Sequence, residues 1–212
     1  MGCKYSIKKK KNKGPDGFGI LTLFSFDLRK KTPSIRESLA AEIRFVSDES
    51  FFASENSIDN DSLFKDRLKN GDICCCAIFE GEIVSYCWIA LHRACVGEIG
   101  KTIILNNKEI YLYDAFTKPA YRGNGLFPKI LSVILSYGRV KGYQRALIFA
   151  LSSNISSIAA IKKTDFRDFQ NVYFLDISGN ILCRFGNAKN GEKGIEKQFE
   201  KLRLINSCDR ND

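Results

Sequence analysis

A chain of 212 residues that is 44% hydrophobic and 27% charged has the composition of an ordinary globular domain, which excludes wholesale disorder, collagen-like repeats and a disulfide-dense miniprotein. No uninterrupted apolar run approaches the roughly 20 residues that span a bilayer. The net charge of +9 is concentrated in an arm, because Lys4, Lys8, Lys9, Lys10, Lys11 and Lys13 supply six positive charges in a stretch without an acid.

Such an arm reads first as a solvated tail, with contact to phosphate or an anionic membrane as the alternative, whereas the near-neutral body offers no basis for nucleic-acid binding. The start, Met1-Gly2-Cys3-Lys4-Tyr5-Ser6, satisfies the M-G-x-x-x-[ST] pattern for N-myristoylation, with Cys3 as a palmitoyl acceptor and lysines behind it. No secretory signal is read, since the apolar segment after the lysines runs into Asp27-Leu28-Arg29-Lys30-Lys31 without a small-residue cleavage site. The division expected is a flexible basic arm over 1–16, a single domain over 17–185, and a charged tail over 186–212.

In chain order, Phe18 to Leu28 reads as a short extended segment, and Glu42 to Val46 alternates as a strand does. Residues 48 to 69 are polar with scattered Phe and Leu, the pattern of two short helices. Ile73 to Phe79 and Ile83 to His92 flank Glu80-Gly81-Glu82, a hairpin signature. Asn106-Asn107 marks a turn before a strand from Glu109 to Thr117, which Pro119 ends. Leu126 to Val140 carries Phe127, Ile130, Ile134 and Tyr137 at helical spacing, with Pro128 in the first turn and Gly142 as the stop. Arg145 to Leu151 is a short strand, and Ser152-Ser153-Asn154 offers N-cap side chains for a helix to about Lys163. Asn171 to Ile177 and Asn180 to Phe185 close the pattern as two strands, and Lys193 to Leu204 has the composition of a helix in the tail.

Eight cysteines are present, three of them consecutive in an apolar run. That placement suits buried, reduced thiols and a cytoplasmic protein better than a disulfide framework. Only Cys87, His92 and Cys95 cluster, without a second pair, so no metal site is expected.

The chemistry is concentrated in Tyr121-Arg122-Gly123-Asn124-Gly125-Leu126. Glycines let backbone N–H groups converge, and the helix that follows adds unpaired donors and a positive dipole end. Together they make an anion cradle fit for a pyrophosphate, with Arg122 as a further charged fork. Two glycines alone more often just turn a chain, and neither G-x-x-x-x-G-K-[ST] nor G-x-G-x-x-G is present.

The longer stretch from Ile110 to Phe127, with its Pro119-Ala120-Tyr121-Arg122-Gly123-Asn124-Gly125 loop, resembles the signature segment of the GNAT superfamily of N-acetyltransferases. Asn154-Ile155-Ser156-Ser157-Ile158 followed by Phe166 resembles the next family landmark. The resemblance covers roughly residues 41 to 177. It implies an α/β fold of the α+β kind, with a mixed, mostly antiparallel central sheet splayed at a βαβ cofactor site. It also implies acetyl-CoA or another acyl-CoA as co-substrate, with no metal. Phe116 and Thr117 would pair with the pantetheine arm through their backbones. Arg122, Gly123, Asn124, Gly125, Leu126 and Phe127 would hold the pyrophosphate, and Asn154 and Ser157 would contact the arm. A main-chain N–H near Thr117 would stabilise the developing oxyanion.

Two departures stand out. Phe127 occupies the last place of the usual R/Q-x-x-G-x-G/A pattern. Ile161 and Asp165 stand where many members have the thiolate-protonating Tyr and a Gly.

The implied reaction is direct transfer of an acyl group from thioester to a primary amine. The acceptor must lose a proton first, and Asp114 is the nearest carboxylate, either as that base or in a structural hydrogen-bonding role. Strand alternation points its side chain away from those of Tyr113 and Ala115, and Tyr111 and Tyr113 read as core or cleft wall. The alternative is a GNAT-like CoA-binding module with weak or lost catalysis, carried to a membrane or partner by its basic arm. The acceptor, a small molecule or a peptide, is not specified, nor is the choice between monomer and homodimer.

Overall fold

The computed structural model describes residues 17–36, 38–47 and 61–201. The basic arm and the first of the two helices expected over 48–69 lie outside the described residues.

The apolar alternation of the chain becomes strands in the order given by their residues: β1 (Gly17–Asp27), β2 (Glu42–Val46), then helix α1 (Asp61–Lys69), the hairpin β3 (Ile73–Phe79) and β4 (Glu82–Ala90), and the short pair β5 (Arg93–Val96) and β6 (Lys101–Ile104). The signature half follows as β7 (Glu109–Thr117), α2 (Leu126–Val140), β8 (Arg145–Leu151) and α3 (Ile155–Lys162), with β9 (Arg167–Ile177), β10 (Asn180–Phe185) and β11 (Phe199–Lys201) closing the described chain.

Eight strands form one sheet in the order β10-β9-β1-β8-β7-β4-β3-β2, and β11-β6-β5 form a second. Among the described strands of the large sheet only β7 and β8 pair in parallel, so the sheet is mixed and mostly antiparallel. The extended segment opening the described chain is more than a flanking strand, since β1 sits between β8 and β9 and pairs with both. Its side chains explain the position. Leu21 and Leu23 are buried on one face of the sheet and Phe24 and Phe26 on the other, as an interior strand requires.

Helix α2 covers one face with Leu126, Ile130, Leu131, Ile134 and Leu135, packed with Phe24, Ile110, Leu112, Ile148, Ile161 and Phe166. Each such fully buried aliphatic side chain contributes roughly 1.5–3 kcal/mol. On the opposite face α1 packs Phe64 and Leu68 against Cys74, Cys76 and Trp88, and the small sheet packs Ile99 and Ile103 against Leu21, Tyr111 and Leu147. Tyr113 lies between these two clusters. Cys74, Cys75, Cys76 and Cys87 are buried free thiols, and burial pushes the Cys76 thiol up to about 12.

The helix expected over 193–204 does not form in its described part. Residues 196–198 make a single 3-10 turn and Phe199–Lys201 a strand on β6. Buried Ile195 and the pairing of Phe199 with Ile103 outweigh the helical composition. The polar residues become internal ties: Gln198 donates to Glu109 at 3.0 Å, and Gln170 accepts from the Ile195 N–H at 3.1 Å. Among the described residues no helix is long and apolar enough to cross a membrane.

Candidate functional site

Where β7 and β8 part, the sheet opens. Their pairing runs from Glu109–Arg145 to Leu112–Ile148 and stops there, although the strands continue to Thr117 and Leu151. Strand β8 remains held on its other side by β1 as far as Leu151. Strand β7 remains held by β4 through Phe116–Tyr86 and Thr117–Ser85.

Between Tyr113, opposite Trp88, and Phe116, opposite Tyr86, two β7 residues face the single residue Cys87. This is a β-bulge, and Asp114 takes φ +45° in it. Simple alternation along the strand therefore fails at Asp114.

A cavity of about 480 Å³ occupies the opening, within the range of small-molecule sites, roughly 300–1,000 Å³. The structure brings Phe116, Thr117, Arg122, Gly123, Gly125, Leu126, Phe127, Asn154 and Ser157 to its wall. Asn124 is placed elsewhere: its side chain accepts from the Ser38 hydroxyl at 3.0 Å and donates to the Tyr121 carbonyl at 3.2 Å, stitching the loop together.

The loop's geometry follows from its glycines. Gly123 at φ +84° and Gly125 at φ +73° occupy the left-handed region that residues with a Cβ adopt at a cost of about 1–2 kcal/mol. A Cβ on Gly123 would meet no protein atom within 4 Å, so that position faces open space. Gly125 is the N-cap of α2 and provides no side-chain cap. Tyr121 and Arg122 turn their N–H groups back onto Lys118 and Pro119, and Lys129 makes the bond onto the Gly125 carbonyl at 3.1 Å. Among the described residues the N–H groups from Gly123 to Phe127 find no backbone acceptor in these turns, and the helix start carries about half a positive charge. Lys163, which the sequence reading did not single out, adds a cation to the same wall.

Two further predicted residues carry structural duties. The Arg122 Nε donates to the Thr117 carbonyl at 3.0 Å, which anchors its stem beside the cavity. Asn154 caps α3, its side chain accepting from the Ser157 N–H at 3.2 Å and the Ser156 hydroxyl at 3.1 Å. The Phe116 carbonyl is engaged by the Ser85 hydroxyl at 3.0 Å, itself 2.8 Å from the Thr117 hydroxyl.

Ile161 is the buried residue of α3 and turns into the core. Asp165 adopts φ +61°, the conformation that glycine takes freely and Asp tolerates better than most.

Around the bulge, on the α1 face, lies a polar cluster that sequence spacing did not reveal. Arg67 of α1 pairs with Asp114. Its guanidinium stands 5.0 Å from the Tyr113 ring centroid and 5.2 Å from that of Trp88. Burial opposes the Arg67 charge, but Asp114 and Tyr113 hold its pKa above the usual value. The Tyr113 hydroxyl donates to Asp72 at 2.5 Å. Burial pushes the Asp72 carboxyl up to about 6, against the lowering effects of the Tyr113 hydrogen bond and the Arg67 and His92 charges. His92 is otherwise exposed at the end of β4. A carboxylic acid that titrates near neutral pH, tied to a residue beside the bulge, is equipped to accept a proton. Among the described residues no three His, Cys, Asp or Glu side chains gather as metal ligands.

The family model described as "Acetyltransferase (GNAT) family" matches residues 40–166, more than half of the chain. No curated protein matches the sequence. Among solved structures, an acetyltransferase from the GNAT family of Colwellia psychrerythraea superposes with a TM-score of 0.51 at 10% identity, over 76% of this chain and 57% of that one. A GCN5-related N-acetyltransferase from Sphaerobacter thermophilus gives 0.52 at 9% identity, over 81% and 52%. The chain thus spans less than two thirds of the length of either relative, and likeness at this identity establishes a shared fold.

Proposed function

The chain belongs to the acetyltransferase (GNAT) family, and on that premise we propose that it moves an acyl group, acetyl in the first instance, from the thioester of an acyl-CoA directly to a primary amine. One observation carries the reading: the splayed strands, the two left-handed glycines and the uncapped start of α2 converge on a single cavity. A diphosphate is the natural occupant of such a cradle, and Arg122 and Lys163 suit the remaining phosphate charge.

Acyl-CoA supplies the activated carbonyl and a thiolate leaving group. The chain's own residues do the rest. The edge of β7 opened by the splay aligns the pantetheine arm, and Asn154 and Ser157 flank it from α3. A main-chain N–H at Thr117 offers charge stabilisation to the carbonyl oxygen as the amine attacks. Such donors are worth about 3–4 kcal/mol of barrier.

For the proton, two carboxylates divide the work. Asp114 serves as counter-ion to buried Arg67 and holds the bulge, the structural role of the two open to it. Asp72 receives the ammonium proton by way of Tyr113, whose hydroxyl passes one proton on as it takes another. The amine nitrogen then forms the C–N bond; as the C–S bond breaks the nitrogen gives its second proton to solvent, and the departing sulfur takes a proton from solvent, since the usual phenol is replaced by Ile161.

That replacement supports a second reading, a CoA-binding module with weak or lost catalysis. Calorimetry with acetyl-CoA, followed by thiol release on a panel of small-molecule and peptide amines, separates the two. Binding with release supports the enzyme, and binding without release across the panel supports the module. Gly123→Ala tests the cradle itself. The added methyl meets no protein atom yet stands where a phosphate must approach, so acetyl-CoA affinity should fall about tenfold, or 1.4 kcal/mol. Unchanged affinity would remove the loop from the site.

A further inference from the structure

The apolar surface is uneven. At the β10 edge of the large sheet, Phe18 is 67% exposed, Leu182 64% and Ile177 46%, with Leu175 and Tyr173 also exposed. The register puts these residues on one face. Phe18 lies opposite Leu175 and Ile20 opposite Tyr173 across β1 and β9, while Leu182 lies opposite Leu175 and Asn180 opposite Ile177 across β9 and β10. Phe18 and Tyr173 stack at 6.4 Å between centroids, so the patch is contiguous.

Its charge is equally uneven. Arg184 lies opposite Tyr173 on the same face. The carboxylate of Asp176 belongs to the alternate set of β9 residues, and it accepts from the Gly179 N–H at 2.8 Å. Along these registers the face therefore presents aromatic and aliphatic side chains, a cation and no acid. The chain enters this face at Gly17, directly after the segment with six lysines among its first thirteen residues. An apolar patch of this kind marks an interaction site. An apolar patch combined with clustered lysines matches a surface that is greasy within and negative at its rim.

We propose that this face of β1, β9 and β10 docks on an anionic lipid bilayer. Phe18, Ile177 and Leu182 enter the headgroup–acyl boundary while Arg184 meets lipid phosphate, and the lysines that precede the face in sequence add attraction to anionic lipid. A nucleic acid would use the lysines and could stack bases on the aromatic rings, but it has no use for the aliphatic Leu175, Ile177 and Leu182. The cavity at the splay is lined by other residues, so the docking face and the acyltransfer reading stand or fall separately.

The test is co-sedimentation of the full chain with phosphatidylcholine vesicles and with vesicles containing about 30% phosphatidylserine, at low and high salt. Binding should be at least about tenfold stronger to the anionic vesicles and should weaken with salt. The double variant Ile177→Glu/Leu182→Glu changes two exposed side chains, so it should keep the wild-type melting temperature and lose about tenfold in vesicle affinity. Replacing Lys8, Lys9, Lys10 and Lys11 by Gln should cause a comparable loss. The proposal is overturned if anionic lipid gives no advantage, or if the folded double variant binds vesicles as well as wild type. It is also overturned if sedimentation velocity shows a wild-type dimer that the double variant dissociates, because a second copy would then be the occupant.

Discussion

Asp72→Asn reaches the part of the site on which the proton route depends. In the folded chain this carboxyl is 4% exposed and pushed up to about 6 from the ordinary 3.8, by burial and against the pull of Tyr113, Arg67 and His92. That difference is worth about 3 kcal/mol. The folded state holds the proton more tightly than the unfolded one. The stabilising contribution is therefore complete below pH 4, and it is lost as pH rises through 6. Asn keeps an acceptor for the Tyr113 hydroxyl but does not titrate. Urea unfolding of both proteins between about pH 4 and pH 7.5 should show the wild type losing about 3 kcal/mol relative to the variant across that window, other titrating groups cancelling in the difference. With an accepted amine, wild-type kcat/KM should rise with pH on a limb near 6, and the variant should lose that limb along with most of its turnover. A stability difference that does not change with pH would refute the buried-acid argument. A limb that persists in the variant would remove Asp72 from the proton route.

Other substitutions address other walls of the site. Asn154→Ala removes the cap of α3, so thermal unfolding should report a loss of about 1 kcal/mol, and acetyl-CoA binding should weaken with it. Lys163→Met should reduce affinity for acetyl-CoA about tenfold, or 1.4 kcal/mol, and leave affinity for a pantetheine thioester lacking the nucleotide unchanged; equal losses would place Lys163 away from the phosphates. Ile161→Tyr restores the family's phenol at a position buried in the core, where an oversized side chain costs about 1–3 kcal/mol. Denaturant unfolding should show that loss and kinetics should show no gain in kcat, whereas a faster enzyme would mean that the ring reaches the cleft.

Local features made the loop and helix beside the cavity readable. The stripe through Ile130 and Ile134, Pro128 in the first turn and the two loop glycines are contiguous in sequence, and α2 spans the predicted Leu126–Val140. Strand periodicity likewise located β2, β3, β7 and β8 within a residue or two of their observed ends. Periodicity says nothing of sheet order, however. The place of β1 between β8 and β9 depends on pairings with residues far away in sequence. The four-residue strands β5 and β6 are too short to show a period, and β11 exists because Phe199 finds Ile103.

The polar cluster beside the bulge was hidden for a related reason. Asp72 lies 41 residues from Tyr113, and Arg67 lies 47 from Asp114. Each pair meets only because α1 docks against the strands beside the bulge. Asp114 itself gave a misleading signal, since alternation assumes one residue per step and the bulge inserts another opposite Cys87. The two halves of the site pose different physical problems. Holding a diphosphate needs converging backbone donors, which one short segment with glycines can supply on its own. Raising a carboxyl toward neutral pH needs burial, and burial comes from elements that are remote in sequence. A buried acid at the foot of a strand, bonded to an aromatic hydroxyl on the signature strand, is therefore a feature to be found by packing, and no spacing rule along the chain would have exposed Asp72.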